Sequence, residues 1–275
     1  MPSVARTTIK KVNAASSVDA DDLLASEEPL EIRLEFSEAG RRVQKNISVT
    51  MRTPGNDFEL AIGFLYTESI IKSASDVKDI KHVKADNENI VCVSLSDEVK
   101  PELNKLERNF YTTSSCGVCG KASIEAVRTV CNVADSIDSL RVSSALVYQL
   151  PDLLRKRQSV FENTGGLHAC ALFDMNGILL LSREDVGRHN ALDKLVGAAL
   201  NAGMLPLDKH ILLLSGRASF ELVQKAIMAG IKIIAAVGAP SSLAAEMAEE
   251  WGITLIGFLR GERFNIYSGA ERIVI

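Results

Sequence analysis

The sequence predicts an α/β fold, α+β over the whole chain, in which a layered C-terminal domain follows a smaller N-terminal α+β domain. Helical and strand patterns alternate over the C-terminal part of the chain. Strands there, such as Ile211–Leu214, are apolar without interruption, which is typical of a mostly parallel sheet covered by helices. The earlier part shows polar–apolar alternation, which indicates half-buried strands. A chain of 275 residues, 47% of them hydrophobic, allows one or two domains with a real core.

Changes in composition divide the chain into three parts. Residues 1–28 are small and polar and are predicted to form a loose, flexible N-terminal arm. Residues 29–112 are predicted to form the small α+β domain. Residues 113–275 are predicted to form the α/β domain, which begins with a loop that holds Cys116 and Cys119.

The small domain is predicted to contain a hairpin, a helix and two further strands. Leu30–Phe36 alternates apolar and charged residues, and the alternation continues through Val43–Met51 after a turn. Asn56 with Glu59 three residues later predicts a helix that begins with a side-chain N-cap. The two further strands are predicted at 77–83 and 90–95.

The α/β domain is predicted to open with helices and a hairpin and then to alternate. A helix from Ser143 to about Phe161 is expected to break at Pro151, because proline removes a helical hydrogen bond. The Asn176-Gly177 pair predicts a tight turn between two strands. The remaining helices are predicted at 190–202, 220–229 and 242–251, and the strands at 169–174, 178–182, 211–214, 231–237 and 253–258.

Charge and hydropathy exclude several classes of function. The formal net charge is −4 and the pI is near 5.7, so the chain has no general basic field for nucleic acid. An uncharged apolar run long enough to span a membrane is absent from the sequence, and the N-terminal residues lack the apolar core of a secretory signal. We therefore expect a cytoplasmic protein that binds neither nucleic acid nor membrane.

The five cysteines indicate chemistry rather than cross-linking. They are an odd number, which does not suggest a disulfide framework, and two of them form the Cys-x-x-Cys motif Cys116-Gly117-Val118-Cys119. In a reducing compartment such a motif is more often catalytic or metal-binding than structural. It precedes a helical pattern, and a helix N-terminus favours the reactive thiolate. The cysteines are Cys92, Cys116, Cys119, Cys131 and Cys170.

Three chemistries compete for the Cys-x-x-Cys motif: a persulfide-carrying nucleophile, a redox dithiol and half of a zinc site. A structural zinc site needs four ligands, and a second Cys-x-x-Cys is absent from the sequence. His168 and Cys170 offer further ligands, but the order and spacing differ from the zinc deaminase pattern. The polar stretch before Cys116 also differs from the strand that precedes a thioredoxin-like motif. We therefore rank the persulfide-carrying nucleophile first, the zinc site second and the redox dithiol third.

Basic residues follow several predicted strands of the α/β domain, where ligands bind in open α/β sheets. Arg188 and His189 lie between a strand and a helix, and Ser215 and Arg217 occupy the next such junction. His168 follows two glycines at the start of a strand; a buried histidine without function is an equally good interpretation of it. Capping or solvated charge is the plainer interpretation of the run Arg183–Asn190, but we favour a mixed role in which some of its residues cap the helix and Arg188 or His189 faces a ligand.

A third junction with arginine residues lies near the C-terminus. Arginine pairs well with phosphate, and Phe258 or Phe264 could stack on a base whose edge Glu262 or Asn265 reads. An ordinary surface loop is the alternative. The dinucleotide and P-loop glycine fingerprints are both absent from the sequence, so the pattern favours a different anionic, nucleotide-like ligand. The candidate ligand-binding residues of this segment are Phe258, Leu259, Arg260, Gly261, Glu262, Arg263 and Asn265.

Together these motifs resemble the FdhD/NarQ family of formate dehydrogenase accessory proteins. The resemblance covers nearly the whole chain beyond the arm, and the run Arg183–Lys194 is its most specific part. It implies a sulfurtransferase that takes persulfide sulfur from a cysteine desulfurase, with Cys116 as the persulfide-bearing residue and Cys119 as the second thiol. The sulfur would pass to the molybdenum or tungsten of a bis-molybdopterin guanine dinucleotide cofactor, which the catalytic subunit of formate dehydrogenase needs.

The resemblance has further implications for fold and ligands. It implies that the larger domain is a three-layer, cytidine-deaminase-like domain without zinc, and that the protein is a homodimer. It also implies a site near Phe258–Arg263 for the cofactor or a GDP-like ligand. Cys119 could relay sulfur, resolve the persulfide into a disulfide, or tune Cys116. A non-catalytic chaperone that holds the cofactor and escorts it to formate dehydrogenase is the alternative function.

Overall fold

The computed structural model describes residues 2–83, 89–103 and 140–275. Cys116 and Cys119, the helix predicted after them and the domain boundary at 112/113 lie outside the described residues, so these expectations stay predictions. In the described ranges the strands are β1 (Val4–Val12), β2 (Ser17–Ala25), β3 (Glu28–Glu38), β4 (Arg41–Arg52), β5 (Val77–His82), β6 (Ile90–Leu95), β7 (Val142–Ser143), β8 (His168–Asp174), β9 (Leu179–Asp185), β10 (His210–Leu214), β11 (Ile233–Ala236), β12 (Thr254–Arg260), β13 (Arg263–Ser268) and β14 (Ile273–Val274). The helices are α1 (Asp57–Thr67), α2 (Ser144–Arg155), α3 (Ser159–Thr164), α4 (Arg188–Asn201), α5 (Phe220–Met228) and α6 (Ser242–Glu250).

The N-terminal residues form a hairpin instead of the loose arm that their composition predicts. β1 and β2 pair antiparallel from Val4 opposite Ala25 to Val12 opposite Ser17. β1 is rich in residue types that favour strands, namely Val4, Thr7, Thr8, Ile9 and Val12, and this was the sequence signal that the overall polarity obscured.

The small domain is a four-stranded sheet with one helix packed on it. The strand order is β4-β3-β6-β5, and the predicted hairpin is β3–β4. Leu60 and Leu65 of α1 pack against the apolar face of the sheet, including Leu34 and Val93. The predicted side-chain cap is wrong, because Asn56 has left-handed backbone angles and its side chain makes no capping hydrogen bond.

The α/β domain has three layers, which confirms the predicted class. Its six-stranded sheet has the order β13-β12-β11-β10-β8-β9. Helices α4, α5 and α6 cover one face, where Leu195, Val223 and Met247 share a core with the sheet. Helix α2 covers the other face through Val147 and Leu150.

The sheet is mixed, whereas its apolar strands predicted a mostly parallel one. β10, β11 and β12 are parallel neighbours, but β8 is antiparallel to β10, and β9 and β13 are antiparallel edge strands. Burial on both faces makes strands apolar whatever their direction, so the composition could not distinguish the two arrangements.

Two further boundaries differ from the predictions. Helix α2 continues through Pro151 and ends at Arg155. The helical conformation is interrupted between residues 156 and 158, before α3 begins. The segment after Gly257 is not a loop, because β12 continues to Arg260 and turns directly into the edge strand β13.

The two domains approach closely where α1 crosses α4. A Cβ added to Gly63 of α1 would collide with the carbonyl oxygen of Asp193, and one added to Gly197 of α4 would collide with that of Glu59. Glycine at both positions lets the two backbones touch. This contact fixes the start of α4, and therefore Arg188 and His189, relative to the small domain.

Candidate functional site

The ends of five strands meet at one edge of the large sheet. The parallel strands β10, β11 and β12 all point their carboxyl ends there. Because β8 runs the other way, its first residue, His168, lies at the same edge and pairs with Asp185, the last residue of β9. The amide of Ala169 donates to Oγ of Ser215 at 2.8 Å, which ties β8 to the end of β10. This sheet edge therefore collects residues from distant parts of the chain.

Glycines let the loops at the sheet edge approach each other. The amide of Gly238 donates to the carbonyl of Gly216 at 3.0 Å, and the amide of Phe258 donates to the carbonyl of Gly238 at 3.0 Å. An added Cβ would lie 3.1 Å from Nδ1 of His168 at Gly216 and 3.0 Å from the amide nitrogen of Arg217 at Gly238. Glycine at these two positions therefore lets the loops pack closely against one another.

Four arginines lie at helix starts and turns along this sheet edge. Arg188 at the start of α4 is half-buried, and Arg217, Arg260 and Arg263 are exposed. In the part of the chain that the structure describes, none of these four has a carboxylate partner, whereas Arg183 pairs with Glu59. Guanidinium groups without an internal partner, at the sheet edge where the parallel strands have their carboxyl ends, are suited to phosphate oxygens. We call these four residues the arginine edge: Arg188, Arg217, Arg260 and Arg263.

His168 lies half-buried beside the arginine edge. Its pKa is lowered from the usual 6.5, chiefly by burial and then by the positive charges of Arg188, His189 and Arg217. Asp185 opposes this shift. At neutral pH the imidazole is therefore uncharged and can accept or donate one hydrogen bond at the sheet edge.

A bulge near the end of β12 presents an aromatic ring. Phe258 has a φ of 55°, an unusual left-handed conformation for a bulky residue, and its side chain is 43% exposed. The β12–β13 register shifts at this bulge. Phe264 packs against Tyr148 with ring centroids 5.3 Å apart, so Phe258 is the ring left for stacking.

The other predicted residues of this segment divide by strand periodicity. Leu259 is fully buried in the core, so its side chain does not line the sheet edge as predicted. Gly261 forms the turn with a φ of 54°, and Glu262 is exposed beside it. Asn265 is exposed on β13, where its backbone pairs with Gly257.

Much of the charged run before α4 holds the two domains together. Asp185 is fully buried and accepts hydrogen bonds from the amides of Thr53 at 3.1 Å and Gly187 at 2.8 Å. Nζ of Lys194 lies 2.7 Å from the Asp185 carboxylate and donates to the carbonyl of Thr53. The side-chain amide of Asn190 donates to the carbonyl of Met51 at 2.8 Å. These residues are therefore structural.

The remaining charged residues around the start of α4 also join the two domains. Nη2 of Arg183 donates to Glu59 at 2.7 Å. Buried Asp193 accepts from the hydroxyl of Thr67 at 2.8 Å and from Nζ of Lys225 at 3.0 Å. The side chains left to face the sheet edge are those of Arg188 and His189, as the mixed role of the run predicts.

His189 contacts two residues that the sequence motifs did not reveal. Its Nε2 lies 2.9 Å from the carboxylate of Glu221 and 3.3 Å from Oγ of Ser219. Ser219 makes no side-chain cap on α5, although its position directly before that helix suggests one. Gly238 is a third missed residue, and its place after β11, equivalent to that of Gly216 after β10, was the available signal.

The described cysteines are poor candidates for chemistry. Cys92 and Cys170 are free thiols and both are buried. Burial raises the pKa of Cys170 far above its usual range, so it stays a thiol at physiological pH. The reactive thiolate that the sequence predicts is therefore sought among the cysteines outside the described residues, Cys116 and Cys119 first.

Neither a cluster of metal ligands nor a membrane-spanning helix occurs among the described residues. Across 2–83, 89–103 and 140–275, side chains of His, Cys, Asp and Glu form no group of three that could hold a metal ion. In the same ranges, the helices are all too short or too polar to cross a membrane.

Comparison with known proteins shows the family to which this chain is related. The sequence pattern described as the FdhD/NarQ family matches residues 25–274. The chain belongs to the FdhD/NarQ family. The family match includes the arginine edge and His168 and leaves most of the N-terminal hairpin outside it.

Individual FdhD relatives match along the whole chain. Proteins named sulfur carrier protein FdhD are 50% identical in Mycolicibacterium paratuberculosis, covering 99% of this chain and 100% of the relative, and 50% identical in Streptomyces coelicolor, covering 98% and 95%. The archaeal FdhD of Sulfurisphaera tokodaii is 43% identical over 98% of this chain and 99% of its own. A crystal structure of a proposed formate dehydrogenase accessory protein from Desulfotalea psychrophila matches with a TM-score of 0.76 and 25% identity, covering 99% and 100% of the two chains.

Proposed function

We propose that this protein is a sulfur carrier that supplies formate dehydrogenase with the sulfur its metal cofactor needs. The observation that carries the proposal is the match, along essentially the full chain, to relatives named sulfur carrier proteins. The likeness to an accessory protein of formate dehydrogenase supports the same client. Sulfur transfer between named partners, rather than storage alone, makes the protein a sulfurtransferase.

The first step of the proposed reaction is the loading of Cys116. The Cys116 thiolate attacks the outer sulfur of the persulfide on a cysteine desulfurase. The S–S bond of the donor breaks, its cysteine leaves as a thiolate, and a new S–S bond forms on Cys116. No external oxidant is needed because sulfane sulfur moves with its oxidation level unchanged. Burial of Cys92 and Cys170 supports a carrier outside the described residues.

The proposed acceptor is the molybdenum or tungsten of a bis-molybdopterin guanine dinucleotide, which binds as cargo. The features that fit such a cargo are the arginine edge for its phosphates and the exposed Phe258 ring for a base. His168 and His189 adjoin the same surface as uncharged or carboxylate-paired imidazoles. Oγ of Ser215 accepts a hydrogen bond from the amide of Ala169, and its neighbour Arg217 is exposed to a ligand.

The proposed partners follow from this reaction. A cysteine desulfurase gives the sulfur, and the catalytic subunit of formate dehydrogenase receives the sulfur-loaded cofactor, both in the cytoplasm. Cys119 has three open roles: it relays sulfur, resolves the persulfide into a disulfide, or tunes Cys116.

A second candidate function is a cofactor escort without covalent sulfur chemistry. The arginine edge supports this function as well, because a phosphate-binding surface serves an escort and a sulfurtransferase alike. An escort requires Arg217, Arg260 and Arg263 but tolerates loss of Cys116.

Restoration of formate dehydrogenase activity separates the two functions. A cell that lacks its own FdhD is complemented with wild-type protein, Cys116→Ala, or the control Cys92→Ala. The sulfur-carrier proposal expects activity from the wild type and Cys92→Ala and none from Cys116→Ala. Full activity with Cys116→Ala, at equal protein level, would assign the escort function instead.

A further inference from the structure

A largely buried carboxylate lies behind His189 at the sheet edge. Glu221 is in the first turn of α5, and its side chain is 12% exposed. One carboxylate oxygen, Oε2, lies 2.9 Å from Nε2 of His189, whereas the other, Oε1, is buried without a hydrogen-bond partner. Buried polar atoms are normally hydrogen-bonded, so a carboxylate with one unpartnered oxygen depends strongly on the contact of its other oxygen. In the described parts of the chain that contact is with His189.

The contact with Glu221 determines which nitrogen of His189 carries a proton. A lone pair on Nε2 would repel a carboxylate oxygen 2.9 Å away, so Nε2 is the protonated nitrogen. Its N–H also lies within hydrogen-bond reach of Oγ of Ser219, at 3.3 Å. Nδ1 has no hydrogen-bond partner among the described residues, and the His189 side chain is 19% exposed. Nδ1 is therefore the ring atom that His189 offers to a ligand.

The charges around His189 favour an anionic ligand. Arg188 precedes it on α4, and Arg217 lies in the loop before α5; both arginines and His189 act electrostatically on His168. A carboxylate beside a phosphate-binding surface repels the ligand unless a positive group balances its charge. In the described residues Glu221 forms its ion pair with His189 and with neither of the two arginines. Both guanidinium groups thus stay free for phosphate oxygens.

We propose that Glu221 is a positioning residue for ligand binding. Its carboxylate holds the His189 ring through Nε2 and balances the charge of an imidazolium, whose Nδ1–H donates to a phosphate oxygen at the arginine edge. Glu221 acts through His189 and does not touch the ligand. The inference rests on the proposed function, because it takes the phosphate-bearing cargo of the arginine edge as the ligand.

A double-mutant cycle on the affinity for guanosine diphosphate tests the coupling. Glu221→Gln preserves the size of the side chain and removes its charge, and it is expected to weaken binding at least fivefold in the wild-type background. In the His189→Gln background the same change is expected to alter the affinity less than twofold, because a positioning residue needs the residue that it positions. A carboxylate that merely repels phosphate predicts the opposite, namely tighter binding by Glu221→Gln.

The control for this cycle is an acidic residue away from the sheet edge. Glu249 is exposed in the last turn of α6, and Glu249→Gln removes the same charge. It is expected to leave the affinity for guanosine diphosphate unchanged. Isothermal titration calorimetry at constant ionic strength measures the wild type and all variants, so a general effect of net charge is separated from an effect of Glu221.

Nuclear magnetic resonance of the histidine rings gives a readout that a purely structural role would not change. The chain has four histidines, so selective ¹⁵N labelling gives few signals, and His189→Gln identifies those of His189. In the wild-type complex with guanosine diphosphate, both ring nitrogens of His189 are expected to be protonated. Glu221→Gln is expected to lose this signature, while the signals of His82 and His210 stay in place.

The possible results separate this inference from the proposed function. Equal losses from Glu221→Gln in both backgrounds, unchanged or tighter binding, or a His189 ring that stays singly protonated in the complex would overturn the inference. If Arg217→Gln still weakens binding in those cases, the arginine edge and the proposed cargo stand. A wild type that binds no guanosine diphosphate would overturn the inference together with the proposed cargo site.

Discussion

Nζ of Lys194 lies 2.7 Å from the carboxylate of Asp185, and the two side chains are almost wholly buried at the junction of the two domains. The Thr53 amide and carbonyl complete the cluster from the small domain. Both residues belong to the charged run Arg183–Lys194, in which Arg188 and His189 are the residues that face the sheet edge. The structure of this junction therefore sets the position of part of the candidate site.

Loss of Asp185 should destabilise the whole molecule. Asp185→Asn leaves the buried Lys194 ammonium without its counter-charge, and breaking a buried pair in this way costs about 3–5 kcal/mol. Urea denaturation measures the change in the free energy of unfolding. The exposed pair Lys10–Asp19 is the control, since Asp19→Asn should change stability little. A small effect of Asp185→Asn would mean that water or a neighbour replaces the missing charge.

The sequence predicted the positions of the strands in this fold better than it predicted how the strands pair. Period-two and continuous apolar patterns located β3, β4 and β10, because burial of strand faces leaves a local trace. Sheet direction leaves none, so the antiparallel placement of β8 went unpredicted. The alternation of side chains along a strand could have predicted the burial of Leu259. Its neighbours Phe258 and Arg260 are exposed, and Leu259 points to the opposite face, into the core.

The sequence predicted the arginines of the candidate site but not the contacts that support the site. Arg188 and Arg217 were recognised because each follows a predicted strand. Glu221 and Ser219 were not recognised as partners of His189, because Ser219 is 30 residues away in sequence and locally resembles a helix cap. A hydrogen bond to a distant residue competes with capping, and only the tertiary structure decides between them.

The arginine edge should bind diphosphate. Arg217→Gln is expected to weaken the binding of guanosine diphosphate about 10- to 100-fold, since a hydrogen bond to a charged group contributes about 1.5–3 kcal/mol. Isothermal titration calorimetry of the purified protein measures the affinity. Arg33→Gln serves as the control, because Arg33 already pairs with Glu31 at 2.7 Å. Equal losses in both variants would show that binding there reflects general charge and not the arginine edge.

Glycine at the helix crossing should be indispensable. Gly63→Ala puts a methyl group against the carbonyl of Asp193, so α1 and α4 must separate. We expect a loss of at least about 3 kcal/mol in the free energy of unfolding, in the range of severe packing defects. Gly166→Ala, whose added methyl meets only ordinary contacts, should be nearly neutral in the same thermal and urea denaturation experiments. Similar stability of the two variants would contradict the close crossing.

Stability should depend on pH through His168. Its folded pKa lies below the unfolded value of 6.5, so the unfolded chain binds more protons as the pH falls through 6.5. The contribution of His168 to stability is therefore complete above pH 6.5 and declines below it, down to the lowered folded pKa. His168→Gln should flatten the dependence of unfolding free energy on pH in that window. Parallel curves for the variant and the wild type would show that His168 titrates normally.

We expect Cys116 to carry the sulfur. Intact-protein mass spectrometry detects that sulfur on the protein itself. Wild type, Cys116→Ala and Cys119→Ala are incubated with an active cysteine desulfurase and cysteine. The account predicts a gain of about 32 Da that dithiothreitol reverses and that Cys116→Ala alone abolishes, as expected for a reversible persulfide. Sulfur added equally to the Cys116→Ala variant, or to none of the three proteins, would contradict it.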